Sequence, residues 1–423
     1  MTKILSAATC LVWVTLCSTA HAEHKDIDLA SELRLPGFHV LMQSVLKTHP
    51  LLQSRRLALE SSRSEVLAAR LQFLPNPSVS VDSLEGKQAN VFRLTQPLFD
   101  GGKLNANLKH ATLKELSSNL AVEEGIFEMA NRLIGLYQTY SVQSGRIQAL
   151  SRGIAAQESL DGLMQRRVDA GVSADIDKNL SNLRLVQART DLSAARSLQR
   201  SAYEQIMKIA GEVDIEASTS RTHTDLPKVP ADNLVSYQEF AATHHPTFQQ
   251  LSLQKQLAQA ELNSIKAELW PVISLRAERQ SGDVIAGSLN TGNRVYLGAQ
   301  YSLGSGMSVL PRVQSAQTRV QAQGQQQLAQ IKELEERLVA DWYEYQSVRG
   351  RLSEMQEVLL STQEFTESTK RLFVTGRRSW LDLQNTMREQ MQADIALSDA
   401  RSTLQVLHMR LLLNAGQMFW LDE

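Results

Sequence analysis

The chain states its structural punctuation twice, at fixed spacing. His49-Pro50 recurs as His245-Pro246 and Leu74-Pro75 as Trp270-Pro271, both at an offset of 196 residues. Farther on, Gly171/Gly376, Gly211/Gly416, Ala111/Ala316, Tyr140/Tyr345, Asp177/Asp382 and Arg196/Arg401 all hold an offset of 205. The step of about nine residues falls once, between Pro75 and Gly101. Proline and glycine dictate backbone geometry, so their agreement predicts two copies of one fold with a single loop insertion. The expected division is a first repeat over 23–211, a linker over 212–233 and a second repeat over 234–423.

The ten prolines also inform by where they are missing: none lies between Leu98 and Leu226, or after Pro311. Both stretches are rich in Ala, Leu, Gln, Glu and Arg, which favour helix. They predict two helix pairs, over 103–211 and 311–416, breaking at Gly171 and Gly376. An outgoing helix from Lys103 to Gly171 would be roughly 100 Å long at 1.5 Å per residue. Such helices belong to coiled coils or helical barrels rather than to a compact globule. Glycines 125, 135, 145, 153 and 162 punctuate the first of them and mark either close helix approach or mild bending. Shorter helices are expected over 50–73 and 246–269, each opened by the His-Pro pair.

After each short helix the period changes to two. Val79 and Val81 alternate with Ser78, Ser80 and Asp82; Phe92, Leu94 and Leu98 alternate with Arg93 and Thr95. Ile273, Leu275 and Ala277 alternate with Ser274, Arg276 and Glu278, and Val295, Leu297, Ala299, Tyr301 and Leu303 with Gly298, Gln300 and Ser302. These runs predict β-hairpins over 75–99 and 271–303, one face apolar and the other polar, with strands long enough to cross a bilayer when tilted. Polar turns are expected over 84–90 and 280–293, the second carrying the insertion. Trp270, Tyr296 and Tyr301 are candidates for an interfacial aromatic girdle.

Residues 1–22 read as a signal peptide: Lys3, an apolar stretch from Ile4 to Leu16, then Ala20-His21-Ala22. Both cysteines, Cys10 and Cys17, lie inside it, which leaves no disulfide or thiolate metal site after cleavage. Leu16 and Thr9 precede them where a lipid-attachment site would carry a small residue. Removing Lys3 takes the formal net charge from -1 to -2, so there is no basic field for nucleic acid. No phosphate loop, nucleophile elbow or metalloprotease motif occurs, so neither an enzyme nor a cofactor is expected. His244-His245 lacks a further ligand cluster, and its recurrence at His49 before the same proline points to a helix boundary rather than a metal.

Four strands cannot close a membrane barrel, and open edges are not tolerated in lipid, so the chain must associate. Three copies would supply twelve strands, with the long helices continuing the wall. A soluble hairpin at the end of a coiled coil is the competing reading of the strands. A periplasmic coiled-coil adaptor is the competitor in function, but its glycine-rich β modules are missing.

The residues Gln96-Pro97-Leu98-Phe99-Asp100-Gly101-Gly102, Gly171-Val172-Ser173-Ala174-Asp175-Ile176-Asp177 and Gly376-Arg377-Arg378-Ser379-Trp380-Leu381-Asp382-Leu383 resemble, in this order, the strand-to-helix signature and paired helix turns of the TolC family of outer-membrane efflux proteins. The resemblance spans essentially all of the chain after the signal peptide. It implies a mainly α homotrimer with a 12-stranded outer-membrane barrel and a helical barrel crossing the periplasm. The far tip would dock a periplasmic adaptor and an inner-membrane ABC exporter or proton-driven pump. Gly171, Val172, Ser173, Gly376, Arg377 and Ser379 then fall in the docking turns. Asp382 falls on a cation-selecting acidic ring, Asn385 where some members carry a second acid, Arg378 on a linking arginine and Asp177 on its partner. Phe373 replaces a tyrosine that can bond across the tip. The missing lipid cysteine and the short tail after Gly416 lean the expectation toward type I protein secretion over drug or metal efflux.

Overall fold

The computed structural model describes residues 37–84, 87–211, 233–282, 292–301, 308–418 and 420. The expected signal peptide, all but the last residue of the linker and most of the second hairpin turn lie outside the described residues. Each repeat opens with two helices, not the one expected: α1 (Phe38–Thr48) and α2 (Pro50–Leu71), then α5 (Leu234–His244) and α6 (Pro246–Ala267). The extra helix was legible in Phe38, Leu41, Met42 and Val45, whose i, i+3, i+4, i+7 spacing buries one face. The histidine between the helices is extended (φ -70° and -72°), as a residue before proline prefers. Its imidazole Nδ1 accepts from the backbone N–H two residues on, Leu51 and Thr247 respectively, both at 3.3 Å. The histidine is therefore an N-cap in both repeats.

The hairpins are β1 (Asn76–Leu84) with β2 (Lys87–Phe99), and β3 (Val272–Gly282) with β4 (Gly292–Gln300). All four strands form one antiparallel sheet in sequence order. Strand pairing in the first hairpin reaches Leu84↔Lys87, well into the expected turn over 84–90. The outgoing helices are α3 (Lys103–Asp169) and α7 (Val309–Val374), of 67 and 66 residues; the return helices are α4 (Asp175–Ala210) and α8 (Trp380–Asn414).

The helices pack as a layer. Toward the sheet the neighbours run α2, α3, α6, α7; toward the helix turns they run α4, α3, α8, α7. The two repeats therefore meet along α3, which touches α6 at one end and α8 at the other. The seam is close: a Cβ on Gly145 would meet Ser398 Oγ at 2.2 Å, and one on Gly153 would meet Met391 Sδ at 2.6 Å. Gly125 likewise admits Leu52 and Arg55 of α2, whereas Gly135 has nothing within 4 Å. Midway along the layer the rings of Phe38, Tyr137, Phe127, His245 and Trp420 pack tilted or edge-on at centroid distances of 5.1–6.5 Å. There burial pushes the His245 imidazole down to about 4, which keeps its capping nitrogen free of a proton near neutral pH.

Candidate functional site

Two regions concentrate polar chemistry: the paired helix turns and one face of the sheet. The turns are built alike. Gly171 N–H donates to Val168 O at 2.8 Å and Val172 N–H to Arg167 O at 2.8 Å; Gly376 and Arg377 repeat this to Phe373 and Leu372 at 3.0 and 2.9 Å. This is the Schellman pattern, which needs a left-handed residue; the glycines have φ of 70° and 74°. After the turn the copies diverge. Ala174 gives α4 no side-chain cap. Ser379 caps α8 in a reciprocal box, with Asp382 N–H donating to Ser379 Oγ at 3.1 Å and Ser379 N–H to Asp382 Oδ2 at 3.4 Å.

An aromatic clamp holds the two turns together. The Trp380 indole N–H donates to the Asp177 carbonyl at 2.9 Å, joining the start of α8 to the start of α4. Phe373 is buried beside it at 5.3 Å between rings, with Leu160, Met164 and Leu383 beneath. The Arg167 guanidinium lies 4.8 Å over the Phe373 ring and donates through Nε to Ser173 Oγ at 3.2 Å. Phe373 is thus a buried platform for the first repeat's arginine. Sequence reasoning singled out neither Trp380 as a link nor Arg167. Only the offset mismatch of Trp380 with Asp175 could have flagged the first.

Within one protomer Arg378 pairs with Asp382 at 3.9 Å. Val172, Arg377 and Arg378 are exposed on the outside of the turns and Asn385 is half-buried. Farther in, Gln157 donates to Gln384 Oε1 at 3.1 Å and reaches Ser181 at 3.4 Å, a buried amide contact across the seam. Two ion pairs extend the seam: Arg146 with Asp399, bidentate with contacts of 2.7–3.0 Å, and Arg152 with Asp394 at 2.9–3.0 Å. The carboxylates hold both guanidinium pKa values above the usual range, chiefly through these hydrogen bonds.

The sheet has two chemically distinct faces. Val79, Val81, Phe92, Leu94, Val295 and Leu297 are exposed on one of them, up to 71 % for Val295. A bulge at Leu98 lets Phe99 rejoin that face opposite Ile273, where it meets Trp270 edge-on at 6.4 Å. The other face is polar. The strand register aligns Ser78, Arg93, Glu278 and Arg294, and in the next row Asn76, Thr95, Arg276 and Tyr296. Tyr296 belongs here and not in an aromatic girdle: its hydroxyl donates to Glu278 Oε1 at 2.8 Å. Trp270 and Tyr301, at 59 % and 58 % exposure, sit just outside strand ends, where a girdle would lie. Among the described residues no helix is long and apolar enough to cross a membrane, and no cluster of His, Cys, Asp and Glu could hold a metal.

Comparison with known proteins gives three findings. A family model described as outer membrane efflux protein matches residues 41–212 and 239–417. The alkaline protease secretion protein AprF of Pseudomonas aeruginosa is 24 % identical over 182 residues; the match covers 40 % of this chain and 38 % of AprF, so the chain spans about two fifths of that relative's length. The fold matches the crystal structure of a membrane protein from Pseudomonas aeruginosa (TM-score 0.78, 15 % identity, 90 % of each chain). It also matches the outer membrane protein VceC from Vibrio cholerae (TM-score 0.77, 12 % identity, 90 % of this chain and 96 % of the other).

Proposed function

The chain belongs to the outer membrane efflux protein family, and from that premise we propose that three copies close one passive export duct. Its place is the outer membrane of a Gram-negative cell, with the helical layer reaching into the periplasm. The observation that carries the proposal is the sheet: four strands, β1 and β4 left as open edges, one face apolar and exposed and the other polar. Unpaired edges in hydrocarbon cost several kcal/mol per backbone group, so β4 of one copy pairs with β1 of the next until the ring shuts.

The repeat supplies the geometry of that closure. Near-sixfold symmetry turns each contact across the internal seam into a contact between copies. The α3–α8 and α3–α6 packings become α7 against α4 and α2 of the neighbour. The pair Gly145–Ser398 becomes Gly350–Ser193, the same two residue types. Gly153–Met391 becomes Val358–Val186, two valines exposed at 54 % and 53 % in the protomer. Arg152–Asp394 becomes Glu357–Arg189, charge-reversed but still complementary. Of the two ion pairs between α3 and α8, Arg146–Asp399 loses its pairing, to Arg351 and Ala194.

At the far end the turns carrying Gly171, Val172, Ser173, Gly376, Arg377 and Ser379 dock the periplasmic adaptor. Three Asp382 carboxylates, with Asn385 one turn inside, form the narrow polar ring of the gate. Arg378, which pairs with Asp382 within its own protomer, also faces Asp177 across the closed tip and helps to lock it. Replacing Arg378 by serine is expected to raise single-channel conductance and antibiotic leak roughly fivefold, the worth of about 1 kcal/mol of closed-state preference. Unchanged conductance and leak would remove Arg378 from the lock.

The cargo reading is protein secretion, with an ABC exporter as inner-membrane partner. It is supported by the likeness to AprF, whose name is that of an alkaline protease secretion protein. Export of small molecules by a proton-driven pump is the second reading, since the family is named for efflux. A deletion strain separates them: loss of a secreted or surface protein with unchanged drug tolerance is the expected outcome. Heightened drug or metal sensitivity with normal secretion overturns it.

A further inference from the structure

We propose that the polar face of the sheet is an anion-selecting belt, formed by Arg93, Arg294 and Arg276 and tuned for carboxylate-bearing cargo. This rests on the barrel reading above, in which the face lines the lumen. Glu278 is the acidic side chain in the two rows. It accepts from Arg93, from Arg294 at 3.4 Å and from Tyr296 at 2.8 Å, and its own side chain is only 4 % exposed. Its charge is consumed within this cluster, while the side chains of Arg93 and Arg294 remain 44 % and 30 % exposed.

Arg276, one row away, has neutral hydrogen-bond partners among the described residues, Ser274 Oγ and Gln300 Oε1, both at 3.2 Å. Three arginines against one carboxylate leave two positive charges per protomer, and threefold repetition gathers six in two adjacent rows of the lumen wall. A cross-strand staple needs one arginine for one glutamate; the surplus charge is not neutralised by a carboxylate in these two rows. The rows lie about 7 Å apart along the strand, within the roughly 8 Å over which physiological salt screens a charge. Fixed charge of one sign on the low-dielectric wall of a water-filled lumen enriches counter-ions, so the mouth favours anions. Its sign is opposite to that of the carboxylates at the far tip.

The test uses purified full-length trimers in planar bilayers under a KCl gradient, in an Asp382→Asn background so that the tip carboxylates do not set the ratio. The unmodified belt is expected to pass chloride over potassium. Arg276→Gln, whose lost bonds are to the neutral Ser274 and Gln300, should lower the chloride-to-potassium ratio about threefold, and Arg276→Glu should lower it further. Polyglutamate added on the barrel side should block current at concentrations where polylysine does not, and the block should weaken in Arg276→Gln. Trimers that conduct with an unchanged ratio and equal block by both polymers overturn the belt. Protein that forms no channels at all overturns the barrel reading instead, which keeps the two failures distinct.

Discussion

Replacing Gly350 by leucine is expected to leave the protomer folded and to remove the trimer. Gly350 is exposed on α7, and a Cβ built there meets nothing within 4 Å. Leucine in an exposed helix interior gains about 0.8 kcal/mol or more over glycine, so the isolated chain is, if anything, steadied. The counterpart Gly145 is different: its Cβ would collide with Ser398 Oγ at 2.2 Å. If copies associate as the repeats do, Gly350 faces Ser193 of the neighbour with the same lack of space. Overpacking costs about 1–3 kcal/mol per site, and a trimer has three such sites. The heat-modifiable trimer band should disappear from the outer-membrane fraction while helical circular dichroism persists. Gly145→Leu should instead damage the protomer itself. A normal Gly350→Leu trimer would disprove the α7–α4 interface.

Gly101→Val is expected to have the largest effect on the fold. Gly101 joins the sheet to α3 with φ of 69°, and a Cβ there would lie 2.6 Å from Trp270 Cβ and 2.7 Å from Ala267 O. Neither obstacle is the free end of a flexible side chain. A β-branched residue adds left-handed strain of about 1–2 kcal/mol to an overpacking cost of about 1–3 kcal/mol. The displaced Trp270 also carries the edge contact to Phe99, so the error spreads to the root of the sheet. Gly102 provides the control: its φ is 90°, but nothing lies within 4 Å of a Cβ, so Gly102→Ala should cost only about 1 kcal/mol of backbone strain. Denaturant midpoints and trimer yield measure both variants. Equal losses would mean that the Trp270 contact is not what the glycine protects.

The fold was legible because proline and glycine control the backbone locally. Pro50, Pro246, Gly171 and Gly376 need no partner to announce a helix start or a left-handed turn. Alternation in β3 and β4 told the faces apart for the same reason. Helices α1 and α5 end at the His-Pro pairs instead of opening on them, and in α1 the period is carried by Phe38, Leu41, Met42 and Val45. Tyr296 is a girdle candidate by residue type alone; its even spacing from Gly298 and Gln300 puts it on the polar face. The clamp at the turns was less accessible. Trp380 meets Asp177, and Arg167 meets Phe373, across about 200 residues of sequence; only the packed layer brings them together. Asp382 shows the limit most clearly, since its local capping duty and a place in a ring both demand an acid at the same position.

The indole bond from Trp380 to Asp177 also ranks the joints of the tip by strength. Carried across the repeat, the same joint between copies sets Asp175 where Trp380 stood and Asp382 where Asp177 stood. No indole spans it, and two carboxylates repel across it. In the proposed ring of six hairpins, joints held by an indole inside each copy would alternate with joints between copies that lack it and depend on Arg378 and Asp177. Such a ring would part at three places, not six, as three rigid blades.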